Sequence, residues 1–219
     1  MRWLRIMWLS GICIASLGVS VFADPTPAAT QPSAPAATAG GLEFHILVFD
    51  RSDPAFKAMS DRMKPGGVGP APQAGDETYR WFEVAHADAF DLRGQPAQTV
   101  EWAGKHYLPV LITPGASMTG EKPWSIAPVF TTTDSTGAPI IEFVFDVRGK
   151  ELFSDLTTRF QPHDGRFYQL AIVLDGKILS APRLLDPITG GSVMLQGGAK
   201  GWTPEDQQLI VEQLRRARP

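Results

Sequence analysis

The stretch Gln169-Leu-Ala-Ile-Val-Leu-Asp-Gly-Lys-Ile-Leu-Ser-Ala-Pro182 decides how the rest of this chain is read. Gln169 to Leu174 run almost continuously apolar, which predicts a strand buried on both faces. Asp175-Gly176 then supplies a two-residue type I′ turn, because glycine takes φ > 0 without steric cost and aspartate tolerates it. Lys177–Ala181 returns as the partner strand, and Pro182 stops it by removing a ladder donor. The result is a hairpin with a physical cause at each step.

Working outward, Ile141, Phe143 and Phe145 alternate with Ile140, Glu142 and Val144, the pattern of a half-buried strand. Asp146 is placed to cap a helix whose Leu152, Phe153, Leu156 and Phe160 share one face. Gly190-Gly191 turns the chain into a short strand, Ser192–Gln196. Thr203-Pro204-Glu205-Asp206 opens a last helix with a capping hydroxyl, a proline at the first helical position and acids at the positive end of the dipole. The order β-α-β-β-β-α predicts a small α+β unit with a mostly antiparallel sheet over 115–219.

Upstream, Leu42, Phe44, Ile46 and Val48 alternate with Glu43, His45 and Leu47, another strand. Ser52-Asp53-Pro54 starts a helix with Phe56, Met59 and Met63 on one stripe, read as a core face. Pro65–Gly75 holds four glycines and three prolines and reads as a loop. Strands are expected at Tyr79–Val84, Gln98–Trp102 and His106–Thr113, the last two joined through Ala103-Gly104. Residues 42–114 therefore form a second small α+β unit. The fold class is α+β, two small units with mostly antiparallel sheets.

Met1–Ala23 has the pattern of an export signal: Arg2 and Arg5, an apolar run, then Val21-Phe-Ala23 as a cleavage site. The alternative is an uncleaved inner-membrane anchor. Cleavage removes Cys13, the one cysteine of the chain, so no disulfide is expected. Residues 24–41 hold four Pro, six Ala and three Thr with one charge, the composition of a disordered spacer. The formal charge of −3 includes no basic cluster, which argues against nucleic-acid binding. Localisation is expected in the periplasm or cell envelope, with a membrane contact only if the leader is retained.

The residues that carry chemistry are sparse. His45, His86, His106 and His163 are widely spaced, and no metal-ligand pattern joins them. His163-Asp164-Gly165 reads as a polar turn, while Asp146 and Asp175 already have backbone tasks. Nucleophile elbows and phosphate loops do not occur in the sequence, so neither enzyme nor cofactor is expected. Trp81, Trp102, Trp124 and Trp202 are expected mainly in the core, with a minor share available to line a groove for extended polypeptide.

Several of these landmarks together carry a resemblance: Gly137-Ala-Pro139, Phe143-Val-Phe145, Gly149, Phe153, Leu156-Thr157, Leu170-Ala-Ile172, Leu174-Asp-Gly176, Ser180-Ala-Pro182 and Ile188-Thr-Gly-Gly191. In this order, with Thr119-Gly120 ahead and Thr203 and Glu205 behind, they resemble the head of the first large periplasmic domain of the SecD family. Leu42-Glu-Phe44 resembles the strand that opens that domain in some members. The resemblance makes Asp175, Gly176, Pro182, Gly190 and Gly191 structural motif residues. It implies a non-enzymatic module that engages unfolded exported polypeptide or a Sec translocon component. The family's glycine-rich signature and membrane bundle are not found here, so a head acting without a proton-driven engine is expected. Reuse of the fold for envelope assembly or ligand binding is the competing function.

Overall fold

The computed structural model describes residues 41–217 apart from 49, 86–98, 122, 136, 164 and 198–201. The expected leader (1–23), nearly all of the expected spacer (24–41), His86 and Asp164 lie outside the described residues. In chain order the elements are β1 (Leu42–Ile46), α1 (Pro54–Asp61), β2 (Tyr79–Val84), β3 (Val100–Trp102), β4 (Lys105–Leu111), β5 (Ser117–Met118), β6 (Ile126–Thr133), β7 (Pro139–Phe145), α2 (Val147–Arg159), β8 (Leu170–Leu174), β9 (Lys177–Ser180), β10 (Ser192–Gln196) and α3 (Pro204–Arg216). The expected orders, β-α-β-β-β then β-α-β-β-β-α, are both present. Between them lie β5 and β6, which the sequence reading passed over.

Local chemistry places the helices as expected. Asp53 caps α1 by accepting from the Ala55 N–H at 2.7 Å, and Pro54 follows as the first helical residue. Asp146 caps α2 through Gly149 N–H at 2.6 Å. Thr203 and Asp206 form a reciprocal capping box on α3. The β8–β9 hairpin has its two-residue turn, with φ of 51° at Asp175 and 76° at Gly176, so both central residues are left-handed as a type I′ turn requires. Ala103 and Gly104, at 50° and 75°, join β3 to β4 in the same way.

A prediction follows from the first turn. No heavy atom would meet a Cβ on Gly176, so substitution there is penalised by backbone conformation alone. Gly176→Val is expected to destabilise the fold by about 1–3 kcal/mol. Thermal melting measures this, and an unchanged midpoint would contradict it.

Two sheets result, of seven strands (β3-β4-β2-β9-β8-β1-β5) and three strands (β10-β7-β6). Pairing is antiparallel except between β2 and β9. The boundary expected at 114/115 does not separate these sheets. β1 pairs with β8, Phe44 facing Ile172, and also with β5; β2 pairs with β9. The reason is physical: β1 and β8 are both buried on two faces, and each supplies the neighbour that the other lacks. Such long-range pairing leaves no local mark in the sequence.

The larger sheet also curls. Leu47 bridges Val110, and the Val48 N–H donates to Pro109 O at 3.0 Å, bringing the end of β1 to β4 across four intervening pairings. The face turned inward carries Leu47, Phe82, Val84, Leu108, Val110, Ala171, Val173 and Ile178, all buried, as one cluster. The other face meets a larger core. There Phe44 touches the rings of Trp124, Phe143, Phe145 and Phe153, joining the seven-stranded sheet to β7 and α2. A third cluster seats Phe56, Met59 and Met63 against Tyr79 and Trp81. The apolar run at 170–174 is thus explained: Leu170, Ile172 and Leu174 face the large core, and Ala171 and Val173 face the curl.

Candidate functional site

The five motif residues shape connections. Asp175 and Gly176 turn the hairpin beside Gly41, whose carbonyl accepts from the Asp175 N–H at 3.3 Å. The Pro182 carbonyl accepts from Leu170 N–H at 2.9 Å, holding the chain beyond β9 against β8. Gly190 and Gly191 lie in the connection to β10. Gly191 has φ 78°, its carbonyl accepts from Phe145 N–H at 2.8 Å, and the Lys150 stem packs over it.

Polar groups with chemical potential are likewise occupied. His45, 1% exposed, lies inside the curl with its ring 5.3 Å from Phe82. Its Nε2 is 2.8 Å from Glu43 Oε2, and its Nδ1 is 3.2 Å from the Leu111 carbonyl. His106 meets Thr99 Oγ1 at 3.4 Å, and His163 forms a tight turn with Arg166. Burial pushes the Asp146 carboxyl up, but donors from Gly149 N–H and the Ser125 hydroxyl outweigh it and hold the group below its ordinary range. Among the described residues, no group of three His, Cys, Asp or Glu side chains is placed to hold a metal ion.

Tyr79 gives a measurable consequence. Burial, then its hydrogen bond to Asp53 Oδ2 at 2.8 Å, pushes the phenol from an ordinary value near 10 up to about 12. A raised folded value means that the native state keeps the proton after the unfolded chain has released it. The stability tied to this group is present in full below pH 10 and is lost as pH rises toward 12. Alkaline titration of unfolding should therefore show a steeper loss in wild type than in Tyr79→Phe; parallel curves would contradict it.

Two surface features remain. A cleft of about 430 Å³ lies between α1 and residues 73–79, walled by Ala55, Ala58 and Met59 and rimmed by Arg62 and Asp76, which are paired at 2.8 Å. The second is the outer face of the three-stranded sheet. One cross-strand row there is Phe130, Glu142 and Met194, with Phe130 38% and Met194 65% exposed. The tryptophans do not supply a groove: Trp81, Trp124 and Trp202 are buried, and half-buried Trp102 lies over Gly69. The sequence reading missed Phe130 and Met194 as surface residues. The β-branched run Val129-Phe-Thr-Thr-Thr133 was the available signal.

Among the described residues, no helix is long and apolar enough to cross a membrane. A family model for the SecDF P1 head subdomain matches residues 97–212. SecD protein translocase subunits are similar over part of that range. That of Acidaminococcus fermentans is 44% identical over 80 residues, 36% of this chain and 18% of the relative. That of Treponema pallidum is 43% identical over 79 residues, 36% and 12% of the two chains. The matched part therefore spans less than a fifth of these relatives. A solved structure of a membrane component SecDF that enhances protein export aligns with 81% of this chain and 93% of its own, at 16% identity and TM-score 0.41. A crystal structure of SecDF in super-membrane-facing form aligns with 86% and 30%, at 16% identity and TM-score 0.39. With the head model matched across more than half of its 219 residues, the chain belongs to the SecDF P1 head subdomain family.

Proposed function

We propose that this chain is a non-enzymatic module of protein export that engages unfolded polypeptide in the cell envelope, with a Sec translocon component as its alternative partner. The head-model match over residues 97–212 carries this reading. The SecD relatives are translocase subunits, and the range matched by the head model holds the β8–β9 hairpin and the Gly190-Gly191 connection. In this reading Asp175, Gly176, Pro182, Gly190 and Gly191 serve as scaffold, while exposed sheet edges and apolar side chains make the contacts. Main-chain pairing suits a client of no fixed sequence, since every peptide offers the same donors and acceptors.

Affinity is expected to be modest, roughly micromolar, because a mobile client must be ordered on binding. The test is titration of a permanently unfolded protein, reduced and carboxymethylated, with its folded form as control. Saturable binding of the unfolded form alone supports the reading. No binding up to about millimolar, or equal binding of both forms, would overturn it.

A further inference from the structure

An exposed strand edge offers unpaired N–H and C=O groups, and native proteins guard it with short length, charge, proline or a bulge. The described sheets end on four strands. β5 has two residues, β3 has three including Glu101, and β10 has five. β6 has eight, from Ile126 to Thr133, with no charged side chain.

Protection on β6 is uneven: α3 runs beside it, with Gln207 Nε2 on the carbonyl of Ile140 opposite Thr132 and Arg215 near Val129, while Phe130 to Thr133 stay exposed. The Ala127–Pro128 peptide and the register shift between Ile126 and Val129 disrupt the ladder there. The Arg215 guanidinium donates to the Val129 carbonyl at 3.2 Å. Beyond this point come Phe130, Thr131, Thr132 and Thr133, which pair with β7 and, among the described residues, with no other strand. Phe145 N–H turns toward Gly191 beside β10, and Phe143, Ile141 and Pro139 share that direction, so their partners Val129, Thr131 and Thr133 turn their backbone groups away from β7. Pro139, opposite Thr133, fits the same register because it has no N–H to give.

The outer face beside this edge has its own chemistry. Glu142 is the one charged group among Phe130, Thr132, Ile140, Glu142, Val144, Ser192, Met194 and Gln196, and Ser192 Oγ donates to its Oε1 at 2.6 Å. A strand added at β6 would lie about 5 Å from β6 and about 10 Å from β7. A Lys or Arg in the Phe130 row would cross that ring and reach toward Glu142.

We propose that the edge Phe130–Thr133 takes up an extended polypeptide segment by strand addition, with preference for segments in which Lys or Arg alternates with apolar residues. This rests on the export reading above and assigns it a surface and a client chemistry. Charge complementarity to Glu142 selects this occupant over a second copy of the chain, whose own Phe130–Thr133 strand carries no cation and whose nearby Arg215 is already bonded to the Val129 carbonyl.

The test uses the full chain and capped ten-residue peptides alternating Val with Lys, Gln or Glu. Lys peptides should bind most tightly and Glu peptides most weakly, and Glu142→Gln should remove the advantage of Lys over Gln. N-methylation of alternate peptide amides should weaken binding about tenfold in one register and little in the other, the mark of one-sided strand pairing. Thr131→Pro removes an outward N–H without touching a β7 bond and should give a similar loss at an unchanged melting temperature. Should that variant misfold, the N-methyl series decides alone. Binding indifferent to N-methyl register, with unfolded protein still bound, would overturn the surface and leave the export reading standing. Failure of the chain to bind either the peptides or unfolded protein would overturn both. Self-association abolished by Thr131→Pro would give the edge to a second copy and overturn the proposed client.

Discussion

Phe44→Ala is expected to remove about 3–5 kcal/mol of stability, the range for a large aromatic deleted from a packed core. Phe44 is fully buried on β1, and its ring lies 5.0 Å from Phe153, 5.6 Å from Phe145, 6.0 Å from Trp124 and 6.4 Å from Phe143. Those partners come from β7, from α2 and from the segment between β5 and β6, so collapse of any one element cannot fill the void. Edge-to-face geometry with Phe145 and Phe153 adds a directional contribution that an aliphatic residue would not recover. Denaturant unfolding followed by tryptophan fluorescence gives the measurement. A loss under about 1 kcal/mol would mean that this ring does not join the two sheets.

Val173→Asp should be more damaging still. Val173 is fully buried and faces the curl of the seven-stranded sheet, packed with Ile178, Val84, Phe82 and Ala171. An ionised carboxylate there would lie opposite Glu43, whose carboxyl already takes the nearby His45 ring, and a buried charge without a partner of its own belongs to the small class of changes that exceed about 4–5 kcal/mol. The expected result is no cooperative thermal transition and rapid proteolysis. Val68→Asp, at a 64% exposed site, is the matched control and should melt near wild type. A cooperative, near-native melt for Val173→Asp would show that the curl is open to water.

Much of this architecture was legible because its causes are local. The Asp175-Gly176 turn, the Asp53 and Asp146 caps and the Thr203 capping box each rest on residues within a few positions of one another. The stripe Phe56, Met59 and Met63 reads correctly for the same reason. What escaped was decided at long range or written weakly. β5 is two residues long, and β6 is interrupted at Pro128 and mostly exposed, so neither shows a clean alternation. The division at 114/115 failed because the partner of β1 is chosen by burial across the whole chain. The candidate surface was hidden likewise: Phe130 and Met194 become neighbours of Glu142 only through the register of β6, β7 and β10. The tryptophans, the more visible residues in the sequence, went to the core.

The marriage of β1 to β8 bears on how the molecule comes into being. A chain synthesised N-terminus first releases Leu42–Ile46 long before Leu170–Leu174 exist to receive it. Until then an apolar strand waits unmated, and non-local closure of this kind is slow. Folding must therefore be completed late, when the last third of the chain has been made. A fragment cut at the edges of the head match would leave β8 paired with β9 but without β1 on its other side. The molecule thus spends a period extended and exposed before its partner strand is found.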